Sequence, residues 1–127
     1  MITNILAVGL GGFAGAALRY LIGLIPLNET MTFPIKTFGI NVAGCIVIGI
    51  IAAAAAKSDS ISPHMLLFLK VGLCGGFTTF STFALETADL MKAANTVTAL
   101  IYVLGSVIVG TAFIFAAEYL TSGIVQP

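Results

Sequence analysis

Hydrophobic residues dominate four long stretches of this chain, and short polar segments separate them. Three stretches are free of charged residues, from Ile2 to Leu18, Thr37 to Ala56 and Ala93 to Ala117. A fourth stretch, about residues 63–91, is apolar but contains Lys70 and Glu86. About 20 apolar residues are enough to cross the hydrocarbon core of a bilayer. The pattern therefore predicts four membrane-spanning helices, at about residues 4–25, 35–56, 63–91 and 95–120.

The composition places almost the whole chain in lipid. Of its 127 residues, 59% are hydrophobic and 8% are charged, whereas about a quarter of the residues in a soluble domain are charged. We therefore expect one all-α transmembrane domain over residues 1–127, surrounded by membrane lipid. We expect no enzyme, because no pair of a nucleophile and a base is visible, and no nucleic-acid partner.

The stretch GGFTTFSTF, residues 75–83, is unusual for the middle of a membrane helix. Two consecutive glycines weaken a helix, and the hydroxyls of Thr78 and Thr79 compete for backbone hydrogen bonds. The stretch therefore predicts a break in the third helix from Gly75 to Thr79. A break in lipid is tolerated only where protein surrounds it or where it lines a polar cavity, so the break is a candidate functional site.

Polar side chains in the other spans fit the same interpretation. Asn41 lies about one turn inside the second span, where an amide without a partner is costly. It is either a hydrogen-bonding link between helices or a donor to a passing solute. Tyr102 and Ser106 lie four residues apart on one face of the fourth span, which should face a helix or a pore. Gly11 and Gly15 have the spacing that lets membrane helices pack closely.

The phenylalanines favour an anion as the solute. Phe80 and Phe83 are three residues apart and therefore adjacent on a helix face. The edge of an aromatic ring is positive and can meet a small anion. Such rings are most often core packing, but the nearby break, the hydroxyls and Arg19 at the end of the first span favour an anion pathway.

Lys70 and Glu86 are too close in sequence to lie on opposite sides of a ~30 Å core, so at least one charge lies within the membrane.

Three motifs carry a resemblance to a known family. GGFAGAALRY (11–20), TFGINVAG (37–44) and GGFTTFSTFALE (75–86) resemble the bacterial fluoride channels of the Fluc or CrcB family. The motifs cover three of the four predicted spans, and the length and number of spans are also similar. The resemblance implies a multi-pass channel in the bacterial inner (plasma) membrane that exports fluoride passively. It also implies an antiparallel, dual-topology homodimer with two pores.

The resemblance also implies roles for individual residues. A structural sodium ion, Na+, would bind at the dimer centre to the backbone carbonyls of Gly75 and Thr78 from both subunits. The fluoride pore would be lined by Asn41, Phe80, Phe83, Ser81, Thr82, Arg19, Tyr102, Ser106, Thr37 and Glu86. Two positions depart from the family pattern, since many members have a small residue at the position of Lys36 and a serine at that of Ala84.

Two other classes of membrane protein have a similar size and hydrophobicity. A small dual-topology drug–proton exporter is the main alternative, but it requires an acidic residue in the first span, and this first span has none. A non-transporting, pore-forming protein such as a holin would not account for the break and its donors. Lysine and arginine are nearly balanced between the two sides of the predicted spans, which permits insertion in both orientations.

Overall fold

The chain is helical through its apolar stretches in the computed structural model, which describes residues 1–27 and 30–124. The helices are α1 (Ile2–Gly23), α2 (Ile35–Lys57), α3 (residues 63–77), α4 (Phe80–Lys92) and α5 (Thr96–Ile124). Since α3 and α4 together form one span, Pro63–Lys92, the described residues contain four helical segments long and apolar enough to cross a membrane. The prediction of an all-α protein with four spans is confirmed.

Local sequence explains where several helices begin and end. The side chain of Ser62 accepts a hydrogen bond from the amide of Met65, and Pro63 occupies the first position of α3, where the missing N–H carries no penalty. Between α4 and α5, Ala94 has a φ of 61°, and the amide of Asn95 donates to the carbonyl of Leu90 at 2.9 Å. This tight turn reverses the chain within a few residues and places α5 beside α4.

The third span is interrupted at two threonines. Thr78 (φ −76°, ψ 158°) and Thr79 (φ −147°, ψ 118°) are extended, whereas Gly75 keeps helical angles (φ −64°, ψ −37°). The predicted break is therefore present but begins later than expected, because both glycines belong to the last turn of α3. In addition, the Leu67–Cys74 part of α3 is π-helical, which the sequence did not indicate.

Glycines bring α1 and α3 into direct backbone contact. A Cβ atom on Gly11 would collide with the carbonyl oxygen of Phe68, and one on Gly15 would collide with that of Leu73. From the other side, a Cβ atom on Gly76 would collide with the carbonyl oxygen of Gly12. The glycine spacing in α1 is thus a helix-packing face, and it holds the last turn of α3 just before the break.

The other half of the chain pairs α2 with α5. Gly49 of α2 leaves room for the side chain of Ala117, which would lie 3.0 Å from an added Cβ atom. Near the start of α5, a small apolar core contains Leu90, Ala99 and the fully buried Tyr102, with Phe83 packed against it. This core anchors α4 to α5 and thereby positions the residues that follow the break.

We predict that Gly15→Ala lowers the stability of the folded protein by about 1–3 kcal/mol, the usual cost of overpacking. The new methyl group would force α1 away from Leu73 and Phe77. The measurement is the midpoint of thermal unfolding in detergent, followed by size-exclusion chromatography. The control is Gly9→Ala, because nothing lies within 4 Å of a Cβ atom at Gly9. Equal midpoints for the two variants would contradict the packing role of Gly15.

Candidate functional site

The interrupted backbone is bound by Asn41 of α2. The Nδ2 atom of Asn41 donates to the carbonyl oxygen of Thr79 at 3.1 Å, and the amide of Thr79 donates to Oδ1 of Asn41 at 2.8 Å. One side chain thus satisfies both polar groups of a residue that has left the helical hydrogen-bonding pattern. The amide of Asn41 links two helices, as the first of its two interpretations predicts.

The threonine hydroxyls also stabilise the break. Oγ1 of Thr78 donates to the carbonyl oxygen of Cys74 at 2.9 Å. Oγ1 of Thr79 accepts from the amide of Thr82 at 3.2 Å and donates to the Thr82 hydroxyl at 3.1 Å. Thr79 is therefore the N-cap of α4, and the amide groups of the first turn create a positive potential at the break.

The carboxylate of Glu86 joins α4 to α2 and α5. Thr37 donates to Oε1 of Glu86 at 2.8 Å, and the hydroxyl of Tyr102 donates to Oε2 at 2.7 Å. Both donors are almost completely buried, with 5% of Thr37 and 0% of Tyr102 exposed. Since each carboxylate oxygen accepts a hydrogen bond from a buried hydroxyl on a different helix, Glu86 is held in one orientation.

Two clefts meet at the break. The first, which we call the Arg19 cleft, has a volume of about 500 Å³ and lies near the end of α1 and the start of α2. Its polar lining is formed by Arg19, Lys36, Thr37, Thr79, Thr82 and Glu86. The Nε atom of Arg19 donates to the carbonyl oxygen of Gly76 at 3.2 Å, so its guanidinium is tied to the last turn before the break.

The second cleft, which we call the Phe80 cleft, has a volume of about 450 Å³ and follows α2 as far as Ile48. Its lining includes Asn41, Lys70, Gly75, Thr78, Thr79, Phe80, Phe83 and Ser106. Thr79 lines both clefts and therefore forms part of the partition between them. The Oγ atom of Ser106 is buried and has no hydrogen-bond partner among the described residues, so it is available to a solute.

The aromatic rings at the Phe80 cleft form a connected group. The centroids of Phe80 and Phe83 are 5.8 Å apart, with an angle of 49° between the rings. Phe83 and Tyr102 are in edge contact, with centroids 5.0 Å apart and an angle of 62°. Phe83 is therefore held by the core, whereas 79% of Phe80 is exposed in the single chain.

Most of the predicted pore residues line one of the two clefts. Asn41, Phe80, Phe83 and Ser106 line the Phe80 cleft, and Arg19, Thr37, Thr82 and Glu86 line the Arg19 cleft. Two others line neither cleft. Tyr102 is in the core, where it contacts the site through Glu86, and Ser81 is on the exposed surface of α4.

Three residues outside the predicted pore lining, Thr79, Lys36 and Lys70, also line the clefts. Thr79 was assigned only to the break, although a threonine directly before a helix is a typical N-cap. Lys36 and Lys70 each line one cleft, but their sequence positions do not show which way the long side chains extend. Gly75 and Thr78, the predicted sodium ligands, both line the Phe80 cleft.

We predict that Asn41→Leu destabilises the protein by about 2 kcal/mol, because it leaves the amide and carbonyl of Thr79 without partners. Thermal unfolding in detergent is the appropriate measurement. Asn4→Leu makes the same substitution at an exposed position near the start of α1 and should leave the midpoint unchanged. If both variants unfold at the wild-type temperature, Asn41 does not support the break.

Comparisons with known proteins support the family resemblance that the three sequence motifs indicate. The profile of the family described as "CrcB-like protein, Camphor Resistance (CrcB)" matches residues 6–118. A protein of Chlorobaculum tepidum is 44% identical over 118 residues, which cover 92% of this chain and 93% of the relative. A protein of Azobacteroides pseudotrichonymphae is 36% identical over 122 residues, covering 95% and 98%, and one of Paracoccus denitrificans is 43% identical over 111 residues, covering 87% and 88%. All three relatives are named "Fluoride-specific ion channel FluC". With its four spans, this chain is a multi-pass bacterial membrane protein that belongs to the CrcB family.

Proposed function

We propose that this protein is a fluoride-selective ion channel that exports fluoride passively across the bacterial inner membrane. The observation that carries the proposal is the meeting at Thr79 of two clefts that contain polar side chains. From Lys36 to Ile48 along α2, the clefts together span roughly 18 Å of a hydrocarbon core about 30 Å thick. A small ion that passes the threonine partition would therefore cross more than half of the hydrocarbon core through the two clefts. The names of the relatives support fluoride as that ion.

The chemistry of the clefts suits a small, strongly hydrated anion. Such an ion crosses a membrane only where oriented donors replace its water. The N-terminal turn of α4 is positive, the hydroxyl of Ser106 has no partner among the described residues, and Arg19 adds a fixed positive charge. In the described part of the chain, Glu86 is the only carboxylate that lines either cleft, and both its oxygens already accept hydrogen bonds. The pathway thus offers an anion a fixed cation, a helix N-terminus and an unpartnered hydroxyl, and its carboxylate is already hydrogen-bonded.

The phenylalanines would complete the fluoride pathway. Their positive ring edges can attract an anion that has lost its water. The close pair of Phe80 and Phe83 gives two such edges in one cleft. A constriction of this kind would exclude chloride, which is larger. Fluoride that enters the cell as the neutral acid ionises inside and would leave by this route down its gradient.

We further propose that two chains pair in an antiparallel homodimer with two pores. The single chain leaves one face of its third span uncovered, since Phe80 is 79% exposed and nothing lies within 4 Å of a Cβ atom at Gly75. A second copy could therefore approach the backbone at Gly75 closely. It would also close the Phe80 cleft, which a single chain leaves open on that side.

The hydrogen bonds of the break support sodium at the centre of this dimer. In a helix, the carbonyl of Gly75 would accept from the amide of Thr79, and that of Thr78 from the amide of Thr82. The first amide donates to Asn41 instead, and the second donates to Oγ1 of Thr79. Both carbonyls thus lose their helical donors, and carbonyl oxygens are suitable ligands for a hard cation. The residues fit a structural sodium ion shared by two copies.

We expect purified protein in liposomes to release fluoride rapidly, and chloride not at all, when a potassium ionophore compensates charge. A fluoride electrode measures the release, and vesicles loaded with chloride are run in parallel. Absence of fluoride release from monodisperse, folded protein would contradict the channel. Drug–proton exchange would then be tested, with Glu86→Gln as the first variant.

Phe83→Ile should reduce the fluoride flux by about two- to tenfold, since an aromatic contact contributes about 0.5–1.5 kcal/mol and 1.4 kcal/mol corresponds to tenfold. Phe80→Ile should have a similar effect. The control is Phe13→Ile, because Phe13 is 77% exposed on α1 and lines neither cleft. Equal fluxes in all three variants and the wild type would exclude the rings from the pathway.

Removal of sodium should lower the stability of the dimer. A ligand present at 100 times its dissociation constant stabilises a folded protein by about 2.7 kcal/mol. The experiment compares thermal unfolding and fluoride flux in sodium with those in an equal concentration of N-methylglucamine, after thorough exchange. Identical midpoints and fluxes in the two solutions would argue against a sodium site.

A further inference from the structure

We propose that Lys36 gives the Arg19 cleft its net positive charge and thereby sets the anion concentration at this end of the pathway. The proposal rests on the function proposed above and assigns a role to a residue outside the family motifs. It concerns the step before permeation, in which an anion leaves bulk water and enters the cleft. Lys36 would act here as an attracting charge and would not belong to the phenylalanine constriction.

The structure holds the ammonium group of Lys36 at the wall of the cleft. Lys36 is half-buried in the first turn of α2, and its Nζ atom donates to the carbonyl oxygen of Gly23 at 3.0 Å. Gly23 is the last residue of α1 and lines the same cleft. The dipole of α1 favours a cation at the C-terminus of that helix, where the ammonium group lies. The charge is therefore placed at the mouth instead of moving freely in solvent.

A charge count shows why Lys36 matters. Among the residues that the structure describes, the charged side chains lining the Arg19 cleft are Arg19, Lys36 and Glu86, and two positive charges and one negative charge sum to +1. Without Lys36 the sum is zero, because Glu86 offsets Arg19. The nearest other charges along α4, Asp89 and Lys92, form an ion pair at 3.2 Å and line neither cleft. The net formal charge of the described cleft residues thus depends on Lys36.

The positions of the two cations also suggest an order of contact. Arg19 is bound to the carbonyl of Gly76, beside the break, whereas Lys36 is bound to the end of α1. Arg19 and Gly23, the α1 residue that binds Lys36, are four residues apart, roughly 6 Å along the axis of α1. An anion arriving from water would meet Lys36 first and Arg19 next. Charged clefts with apolar walls concentrate ions of the opposite sign, so the pair would draw anions toward the break.

A purely structural role for Lys36 is the competing explanation, because a cation at a helix C-terminus also stabilises the helix. The two roles differ in three measurable ways. A structural role affects folding and maximal flux alike, at every concentration of fluoride and of salt. An attracting charge affects flux only when fluoride is scarce, and its effect disappears when salt screens it, since the Debye length is about 30 Å at 0.01 M and about 3 Å at 1 M.

The test measures initial fluoride efflux from liposomes over a range of fluoride concentrations, at low and high concentrations of an impermeant salt. We expect Lys36→Gln, which keeps an N–H donor but removes the charge, to raise the half-saturating concentration about three- to tenfold at low salt. Its maximal rate should stay at the wild-type value, and the difference should vanish at high salt. Lys36→Arg should behave as the wild type does.

Lys92→Gln is the matched control. This variant also removes one positive charge, and Lys92 lies on α4, the helix that contains Glu86. However, Lys92 is 73% exposed and lines neither cleft. It should leave the half-saturating concentration unchanged. A wild-type half-saturating concentration in Lys36→Gln at low salt would overturn the proposal, as would a loss of flux independent of fluoride and salt. If the wild type itself carries no fluoride, the proposed function fails and this inference fails with it.

Chemical modification provides a second test on protein that is already folded. Lys36→Cys is reconstituted and treated with either a cationic or an anionic methanethiosulfonate reagent, and the same treatments of the wild type control for Cys45 and Cys74. The cationic adduct should restore the low half-saturating concentration, and the anionic adduct should raise it further. Equal values for the two adducts would overturn the role of charge.

Discussion

A membrane supplies no water to the backbone groups that an interrupted helix releases, and the organisation of this protein depends on how those groups are satisfied. Thr78 and Thr79 interrupt the third span, and the side chain of Asn41 binds both polar groups of Thr79. The helical hydrogen bonds from the amides of Thr79 and Thr82 to Gly75 and Thr78 are among those lost, since these two amides donate to side chains instead. The same geometry that stabilises the break therefore leaves carbonyl oxygens on one side and a positive helix terminus on the other.

The surrounding helices keep this arrangement rigid. On one side, glycines allow α1 and α3 to touch through their backbones, which sets the position of the last turn before the break. On the other side, Glu86 accepts hydrogen bonds from Thr37 of α2 and Tyr102 of α5, which sets the position of α4 after the break. The two clefts lie between these supports. Their shape is thus a consequence of helix packing, and a change in the packing would alter both clefts together.

The two clefts have different chemistry, which would suit different steps of the proposed ion passage. The Arg19 cleft carries most of the charge, with two cations and a carboxylate that is already bound. The Phe80 cleft carries the aromatic rings, the unpartnered hydroxyl of Ser106 and a single ionisable lysine, Lys70. Attraction at long range needs charge, whereas selection at short range needs oriented donors of a defined size. A separation of the two functions along one pathway would let each be adjusted without loss of the other.

The sequence by itself determined the four spans, the family and the existence of a break, because each depends on residues that are close together in the chain. Apolar length, the Gly-x-x-x-Gly spacing and the GGFTTFSTF stretch are all local patterns. Only the tertiary structure decided that the break lies at Thr78 and Thr79, because Gly76 is held in a helical turn by its contact with α1. It also decided that Tyr102 is buried in the core and donates to Glu86, and that Lys36 lines the Arg19 cleft. Those roles depend on how distant helices pack and where long side chains extend, which no local pattern specifies.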